Sequence, residues 1–457
     1  MAYFTGLDLF QNCLMGSGDF LNLTPFEEYM LADNHPVYPM SCFMKLRFYG
    51  RFDVDLLSKL LQKVLKNHPL LCSVTEKTRL GRFCWKPSAE MIEIRRGVFH
   101  AKGINLEHEP ALKITLDEQE NQQSDLWFEL HHSASDAVGM QRFLEDLLME
   151  YSVQKSFLNP EILSSREPVD PLLLQNRGRY GQNFGTFLRN LPRQIWGLER
   201  ARTFLFNRII PLIPQKPDLT KNLPPTDYPV ILSRKLNNDE TKQVRISAKS
   251  AKVTINDFLI WSLFLAMNDW RQQEKITGQH GRLRIAIPTN LRTPNDCLMP
   301  AANIVSMVFL DRKPDHIQNN NYFLQGIHRE MHHIKSCNLG LALIYGLTVY
   351  RKLFGSYEKM INRNRCWTTA TVSNLGLLFQ QTPFPKRSGN LCIDKELELT
   401  EIHSVPPIRP QTVLGVCAFS YSNCLTIDMQ YDSELLNTVQ AKKLFDLLMK
   451  YLLSAPV

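Results

Sequence analysis

The sequence predicts an α+β fold divided between two lobes, and three observations carry that reading. At 457 residues and 44% hydrophobic, the chain is longer than one compact core supports and apolar enough to fold. Strand-like and helix-like segments mix without the regular strand–helix–strand alternation of a doubly wound sheet. A break from roughly 157 to 228 is rich in Pro and Arg, and its prolines exclude a continuous helix or a central strand. The expected organisation is an N-terminal lobe over 1–170, a crossover over 171–228 and a C-terminal lobe over 229–457.

The elements follow in order. "LTPFEEYMLAD" sets Thr24 three residues before Glu27, with Pro25 at the first helical position, which predicts a capped helix start. "FMKLRFYG" alternates Met44, Leu46 and Phe48 with Lys45, Arg47 and Tyr49, the period of a half-buried strand. After it, Leu56, Leu57, Leu60, Leu61, Val64 and Leu65 form one apolar helical face. "SDLWFELHH" reads as a strand, and "DAVGMQRFLEDLLMEYSVQ" as a helix with Leu144, Leu147, Leu148 and Tyr151 turned inward. Beyond the break come the helix "TINDFLIWSLFLAMNDWRQQ", the strands "RLRIAIPTNLR" and "NIVSMVFLDR", and two helices through 318–354. The strand "TATVSNLG", a strand pair in "VLGVCAFSYSNCLTIDMQYD" and a closing helix "SELLNTVQAKKLFDLLMKYLL" complete the chain. Within that pair, "SYSN" could place Ser420 or Ser422 near a site, but Ser422 and Asn423 read better as hairpin-turn residues.

Composition excludes several classes. The ten cysteines never fall closer than seven apart and form no CxxC pair, so neither a disulfide framework nor a zinc ribbon is expected. The longest apolar stretch, "LIWSLFLAM" at 259–267, is about half the length of a membrane span. The N-terminal residues lack a basic segment followed by a long apolar core. These features predict a soluble, cytoplasmic protein. The net charge of +8 concentrates in Arg177, Arg179, Arg189, Arg193, Arg200, Arg202, Arg208 and Lys216, opposed between 177 and 216 by Glu199 alone. No nucleic-acid motif accompanies them, so nucleic acid is not an expected partner. Trp196, Phe204 and Phe206 among the arginines offer peripheral membrane contact through 177–216; a packed crossover helix with solvated arginines is the plainer account, because Pro192 and Gly197 interrupt the pattern.

"LHHSASDAVGM", residues 130–140, puts two histidines ahead of an aspartate at a strand-to-helix junction. A neutral imidazole can take a proton from a hydroxyl or amine and later return it. Neighbours on a strand point to opposite faces, so only one of His131 and His132 can face a given cavity. Taken by itself, a His-His pair before an Asp is more often structural than catalytic. His328 and His332, at i, i+4 spacing in "GIHREMHHIK", could hold zinc but lack a third ligand, and a solvated helix face is expected. No GxSxG elbow, P-loop or paired GxGxxG is present, which argues against a hydrolase, kinase or dehydrogenase.

"HHSASDAVG" resembles the HHxxxDG signature of the condensation-domain and chloramphenicol-acetyltransferase-like superfamily, whose members include wax ester synthase/diacylglycerol acyltransferases. "LTPFEEYMLAD", "LKNHPLLCSV", "TINDFLIWSLFLAM", "IAIPTNLR", "PAANIVSMVF" and "TATVSNLG" are similar to superfamily segments in the same order, from about residue 22 to 455. The resemblance implies two α/β sandwich lobes of this type with an active-site tunnel between them, the motif lying in the N-terminal lobe. It implies His132 as general base, His131 as its supporting neighbour, and Asp136 as a structural carboxylate facing Arg292. Asn303, Ser373 and Asn374 are candidate oxyanion or substrate contacts. Two departures stand out: Ala137 where the signature has glycine, and Ala302 before Asn303 where many relatives have glycine. The implied activity is transfer of an acyl group from a CoA or carrier-protein thioester to an alcohol or amine, with no metal and no bound cofactor. A carrier protein is a further candidate partner. An amide-forming condensation enzyme, a lipid-directed acyltransferase and a non-catalytic binding protein are the competing readings.

Overall fold

Thr24 and Glu27 close the capping box that their spacing predicts: the Glu27 N–H donates to Thr24 Oγ1 at 3.3 Å, and the Thr24 N–H donates to Glu27 Oε2 at 2.9 Å. The structure, a computed structural model, describes residues 21–79, 81–180, 202–276, 280–380 and 382–454. In chain order the elements are β1 (Leu21–Asn22), α1 (Pro25–Asp33), β2 (Ser41–Tyr49), α2 (Val54–Leu65), β3 (Ser73–Lys77), β4 (Phe83–Pro87), β5 (Ile94–Arg96), β6 (Leu112–Glu118), β7 (Gln123–His131), α3 (Ala137–Gln154) and α4 (Glu161–Ser165). There follow β8 (Val230–Lys235), α5 (Asn238–Ser250), α6 (Ile255–Gln273), β9 (Leu283–Asn290), β10 (Val305–Arg312), α7 (Asn321–Ser336) and α8 (Gly340–Phe354). The last are β11 (Ala370–Leu377), β12 (Lys386–Arg387), β13 (Asn390–Cys392), β14 (Glu398–Val405), β15 (Leu414–Tyr421), β16 (Cys424–Tyr431) and α9 (Thr438–Leu453). Helices and mixed sheets without βαβ alternation make this an α+β fold, as the sequence predicts.

The chain forms two compact units that are not contiguous in sequence. Among the described residues, the first joins those between 21 and 180 to those of 292–305 and 377–407; the second comprises those between 202 and 291, 306–376 and those between 408 and 454. A linear division at 170 and 228 does not capture the two excursions of the C-terminal half into the first unit. There, a seven-stranded sheet has the order β12-β13-β14-β2-β7-β6-β5. β2 lies between β7 and β14, with Phe43 opposite Glu129 on one side and Val405 on the other. Leu57, Leu60, Leu61, Val64 and Leu65 of α2 are buried, while Leu56 at the margin of the predicted face is only half-buried. Leu144, Leu147, Leu148 and Tyr151 of α3 are all buried, so apart from Leu56 the apolar stripes read from the sequence leave water.

The second unit has a six-stranded sheet of order β10-β9-β11-β15-β16-β8. Its helix α6 is apolar on all sides from Phe258 to Met267 apart from Ser262, and every residue from Asp257 to Asn268 is buried, as expected for a helix enclosed by protein. Ser422 and Asn423 have φ of 53° and 63° and close the β15–β16 hairpin with Tyr421 opposite Cys424. They are turn residues, and two consecutive left-handed residues suit the twist of the flanking strands. Among the described residues, no single helix is long and apolar enough to cross a membrane.

Among the described residues of the basic run, Arg177 does not contribute to a cationic surface. Arg177 is buried in the first unit, where its Nε and Nη2 reach Glu27 at 2.7 and 2.8 Å, so the charge counted there is already neutralised by the capping-box carboxylate. Phe204 stacks on Trp367 at 5.3 Å, while Phe206 is exposed. Arg189, Arg193, Trp196 and Arg200 lie outside the described residues.

Candidate active site

β7 delivers the motif. The His131 N–H donates to the Ala111 carbonyl at 2.9 Å and the His132 N–H to the Met40 carbonyl at 2.8 Å. The chain then turns, with the Ala134 N–H returning to the His131 carbonyl at 3.0 Å, and enters α3 at Asp136. The Ser133 hydroxyl donates to the Glu27 carbonyl at 3.0 Å, tying this turn to α1. Backbone and side-chain bonds thus pin the turn from several sides before any catalytic group is considered.

The two histidines have different surroundings. His131 is fully buried; its Nδ1 accepts the Ser133 N–H at 3.2 Å, and its Nε2 has no hydrogen-bond partner among the described residues. Burial, and secondarily the neighbouring His132, push its imidazole down to about 3, so it stays neutral near pH 7. His132 is half-buried. Its Nδ1 lies 3.2 Å from the Ser135 carbonyl; a carbonyl only accepts, so Nδ1 carries the hydrogen and the basic lone pair resides on Nε2. Burial holds this imidazole below its ordinary value, opposed by its own backbone, the Asp136 carboxylate and the Ser135 carbonyl.

Asp136 organises what surrounds the motif. It caps α3, its Oδ1 accepting the Gly139 N–H at 2.9 Å, while Oδ2 accepts from Arg292 Nη1 at 2.7 Å and from the Ile304 N–H at 2.8 Å. Burial would raise this carboxyl, but the Arg292 guanidinium and the two backbone donors together hold it below the usual carboxylate range. Arg292 Nη2 also donates to the Ala302 carbonyl at 2.9 Å, and the Asp136 N–H reaches the same oxygen at 3.3 Å. Sequence-distant Asp136 and Arg292 therefore meet in one unit.

Other candidates take different places. The Asn303 amide donates to the His132 carbonyl at 2.7 Å and approaches Met30 Sδ at 3.1 Å. Both amide hydrogens are engaged, so Asn303 braces the backbone of His132 instead of presenting donors to an oxyanion. Ser373 and Asn374 lie on β11 of the second unit, where Asn374 Oδ1 accepts the Gly376 N–H at 3.0 Å. His328 Nδ1 lies 2.8 Å from Asp257 Oδ2, a local pairing and not the fully solvated face the spacing suggests; His332 is exposed. No group of three metal-ligating side chains occurs among the described residues.

The glycine requirement sits two positions beyond Ala137, a point the motif alone does not reveal. A Cβ on Gly139 would stand 2.8 Å from the Ala302 nitrogen and 3.0 Å from its oxygen. The first turn of α3 thus packs directly on the 301–303 backbone, while Ala137 is only half-buried and Ala302 lies outside the positive-φ residues. Gly139→Ala is expected to destabilise the protein by about 1–3 kcal/mol through overpacking, read as a lower urea midpoint; Ala137→Gly should cost less than about 1 kcal/mol.

Buried neutral imidazoles also make stability pH-dependent. His131 and His68 are both fully buried, and burial lowers both. Between the lowered folded values and the ordinary value near 6.5, the unfolded chain binds more protons, so stability rises with pH there and falls on acidification. The expected slope below pH 6.5 is roughly 1 kcal/mol per pH unit per histidine, checked by urea midpoints at pH 5 to 8. His131→Gln should remove its share of the slope and leave that of His68.

No protein-family model matches the sequence, and no curated protein does. Solved structures do match its fold. The first condensation domain of the calcium-dependent antibiotic synthetase is similar over 97% of this chain and 98% of that one, at TM-score 0.64 and 14% identity. The trichothecene 15-O-acetyltransferase of Fusarium sporotrichioides is similar over 96% and 95%, at TM-score 0.68 and 10% identity. A starter condensation domain of rhizomide synthetase, solved with C8-CoA and Leu-SNAC, is similar over 98% and 97%, at TM-score 0.66 and 12% identity. The chain has the condensation-domain, chloramphenicol-acetyltransferase-like fold.

Proposed function

We propose that this protein is an acyltransferase that moves an acyl group from a CoA or carrier-protein thioester to an alcohol or amine, with His132 as general base. The observation that carries this reading is the tautomer: the Ser135 carbonyl holds Nδ1–H, leaving Nε2 as the proton acceptor on a side chain that burial keeps neutral near pH 7. His132 Nε2 takes the proton from the acceptor O–H or N–H as that atom bonds to the thioester carbonyl carbon. The tetrahedral intermediate collapses with loss of the C–S bond, and the imidazolium returns its proton to the departing thiolate. The buried Asp136–Arg292 pair fixes the turn and needs no proton of its own. Similarity in fold to an O-acetyltransferase and to a C8-CoA-bound condensation domain supports a thioester donor.

The test offers acetyl-, octanoyl- and palmitoyl-CoA with a small-molecule cell extract and follows free thiol with a trapping dye, the protein's own cysteines being blanked without substrate. Acceptor-dependent thiol release that persists in EDTA, with an acylated ester or amide found by mass spectrometry, is the expected result. Release that stops with EDTA and returns with zinc would overturn the mechanism. An amide product would select the condensation reading over ester formation.

A further inference from the structure

We propose that His68 is a positioning residue for His132, acting as a latch on the segment that carries Ala301, Ala302 and Asn303. The proposal rests on the reading of His132 as the base. His68 immediately precedes the short 3-10 turn Pro69–Cys72 but makes no side-chain cap there. Its fully buried ring is spent elsewhere. Nδ1 accepts the Ala301 N–H at 2.9 Å, and Nε2 lies 3.1 Å from Asp146 Oδ2. A backbone N–H only donates, so Nδ1 is bare and Nε2 carries the hydrogen toward the carboxylate. Phe143 packs edge-on against the ring at 5.5 Å. Arg142 and Arg166 approach Asp146 at 3.3 and 3.4 Å, which holds the carboxylate ionised and the imidazole oriented.

The latched segment touches the motif at each following residue. The Ala302 carbonyl accepts from the Asp136 N–H and from Arg292 Nη2. The Asn303 amide donates to the His132 carbonyl at 2.7 Å. A relay therefore runs from Asp146 through His68 and Ala301 to the backbone of the base. An apolar residue of similar size would fill the space of His68 but leave the buried Ala301 N–H without an acceptor, freeing the segment to shift. Displacement of a base by a fraction of an ångström to an ångström is enough to cost turnover.

The test compares His68→Leu, which fills the volume and removes the acceptor, with His68→Asn, whose Oδ1 takes the place of Nδ1. Amide exchange of peptides covering 301–303 and thiol release from octanoyl-CoA are measured on each full-length protein. His68→Leu is expected to lose about tenfold or more of exchange protection at 301–303. Its kcat should fall roughly tenfold to a hundredfold with KM for octanoyl-CoA within about threefold, and His68→Asn should recover both. Native protection in folded His68→Leu, or lost protection with unchanged kcat, overturns the latch. If His68→Leu does not fold, His68→Asn decides: loss of protection there, with its melting temperature retained, rejects the proposal. If the wild-type protein releases no thiol, the acyltransferase reading fails while the exchange arm still judges the latch.

Discussion

His132→Ala is expected to abolish acyl transfer while leaving the fold intact. A well-placed general base contributes about a hundredfold to ten-thousandfold in rate, and none of the backbone bonds that shape the turn uses the imidazole except Nδ1 to Ser135. The loss should appear in kcat and kcat/KM together, since the proton moves only in the transition state. The wild-type rate should fall on acidification with a midpoint below the ordinary histidine value of about 6.5, the direction burial gives this ring. Near-normal turnover in folded His132→Ala would mean the base lies elsewhere. His131→Ala makes the contrast: it empties a fully buried site and should lower the melting temperature.

Removing either partner of the Asp136–Arg292 pair should cost about 3–5 kcal/mol, because the other charge is left uncompensated away from water. The side chains are 2% and 11% exposed, so screening by solvent is slight. Asp136→Ala also removes the cap of α3 and the acceptor for the Ile304 N–H, and is expected to be the worse of the two. The double variant should be milder than the sum by about 0.5–3 kcal/mol, the range for residues in contact. Strict additivity in urea unfolding would show that the pair does not interact. The pH dependence has a definite sign. Asp136 is held below its ordinary carboxyl value, so its contribution is complete above about pH 4 and is lost as pH falls further.

What was legible in the sequence was local, periodic or carried by a short motif. The Thr24–Glu27 box, the Ser422–Asn423 turn and the apolar face of α2 each declare themselves within a few residues, because capping, left-handed backbone and helical period are near-neighbour effects. Asp136 and Arg292 could be matched only through the resemblance. The contacts that were missed join distant positions: Glu27 to Arg177, His68 to Ala301, and Gly139 to Ala302. None leaves a repeating pattern, and one residue masks another's role. Glu27 looks like a complete capping residue while also neutralising a buried arginine, and Ala137 draws attention away from the glycine two positions on. Asn303 shows the converse, since residue type suggested a donor to substrate and packing gave it to a backbone carbonyl.

The placement of β14 against β2 has a consequence for biosynthesis. Every strand from β2 to β7 has been made once residue 131 leaves the ribosome, but β14 ends at Val405, about 270 residues later. At elongation rates of roughly 5–20 residues per second, one side of β2 waits about 15–55 s for its neighbour. Throughout that interval the nascent chain carries an unpaired strand edge flanked by Phe43, Leu46 and Phe48, the kind of surface on which polypeptides join edge to edge. Shielding of the nine-residue stretch Ser41–Tyr49 is therefore expected to aid productive synthesis, and chains released before Val405 should accumulate as aggregates or chaperone-bound species instead of as a soluble first unit, read by pelleting and chaperone co-purification of such truncations.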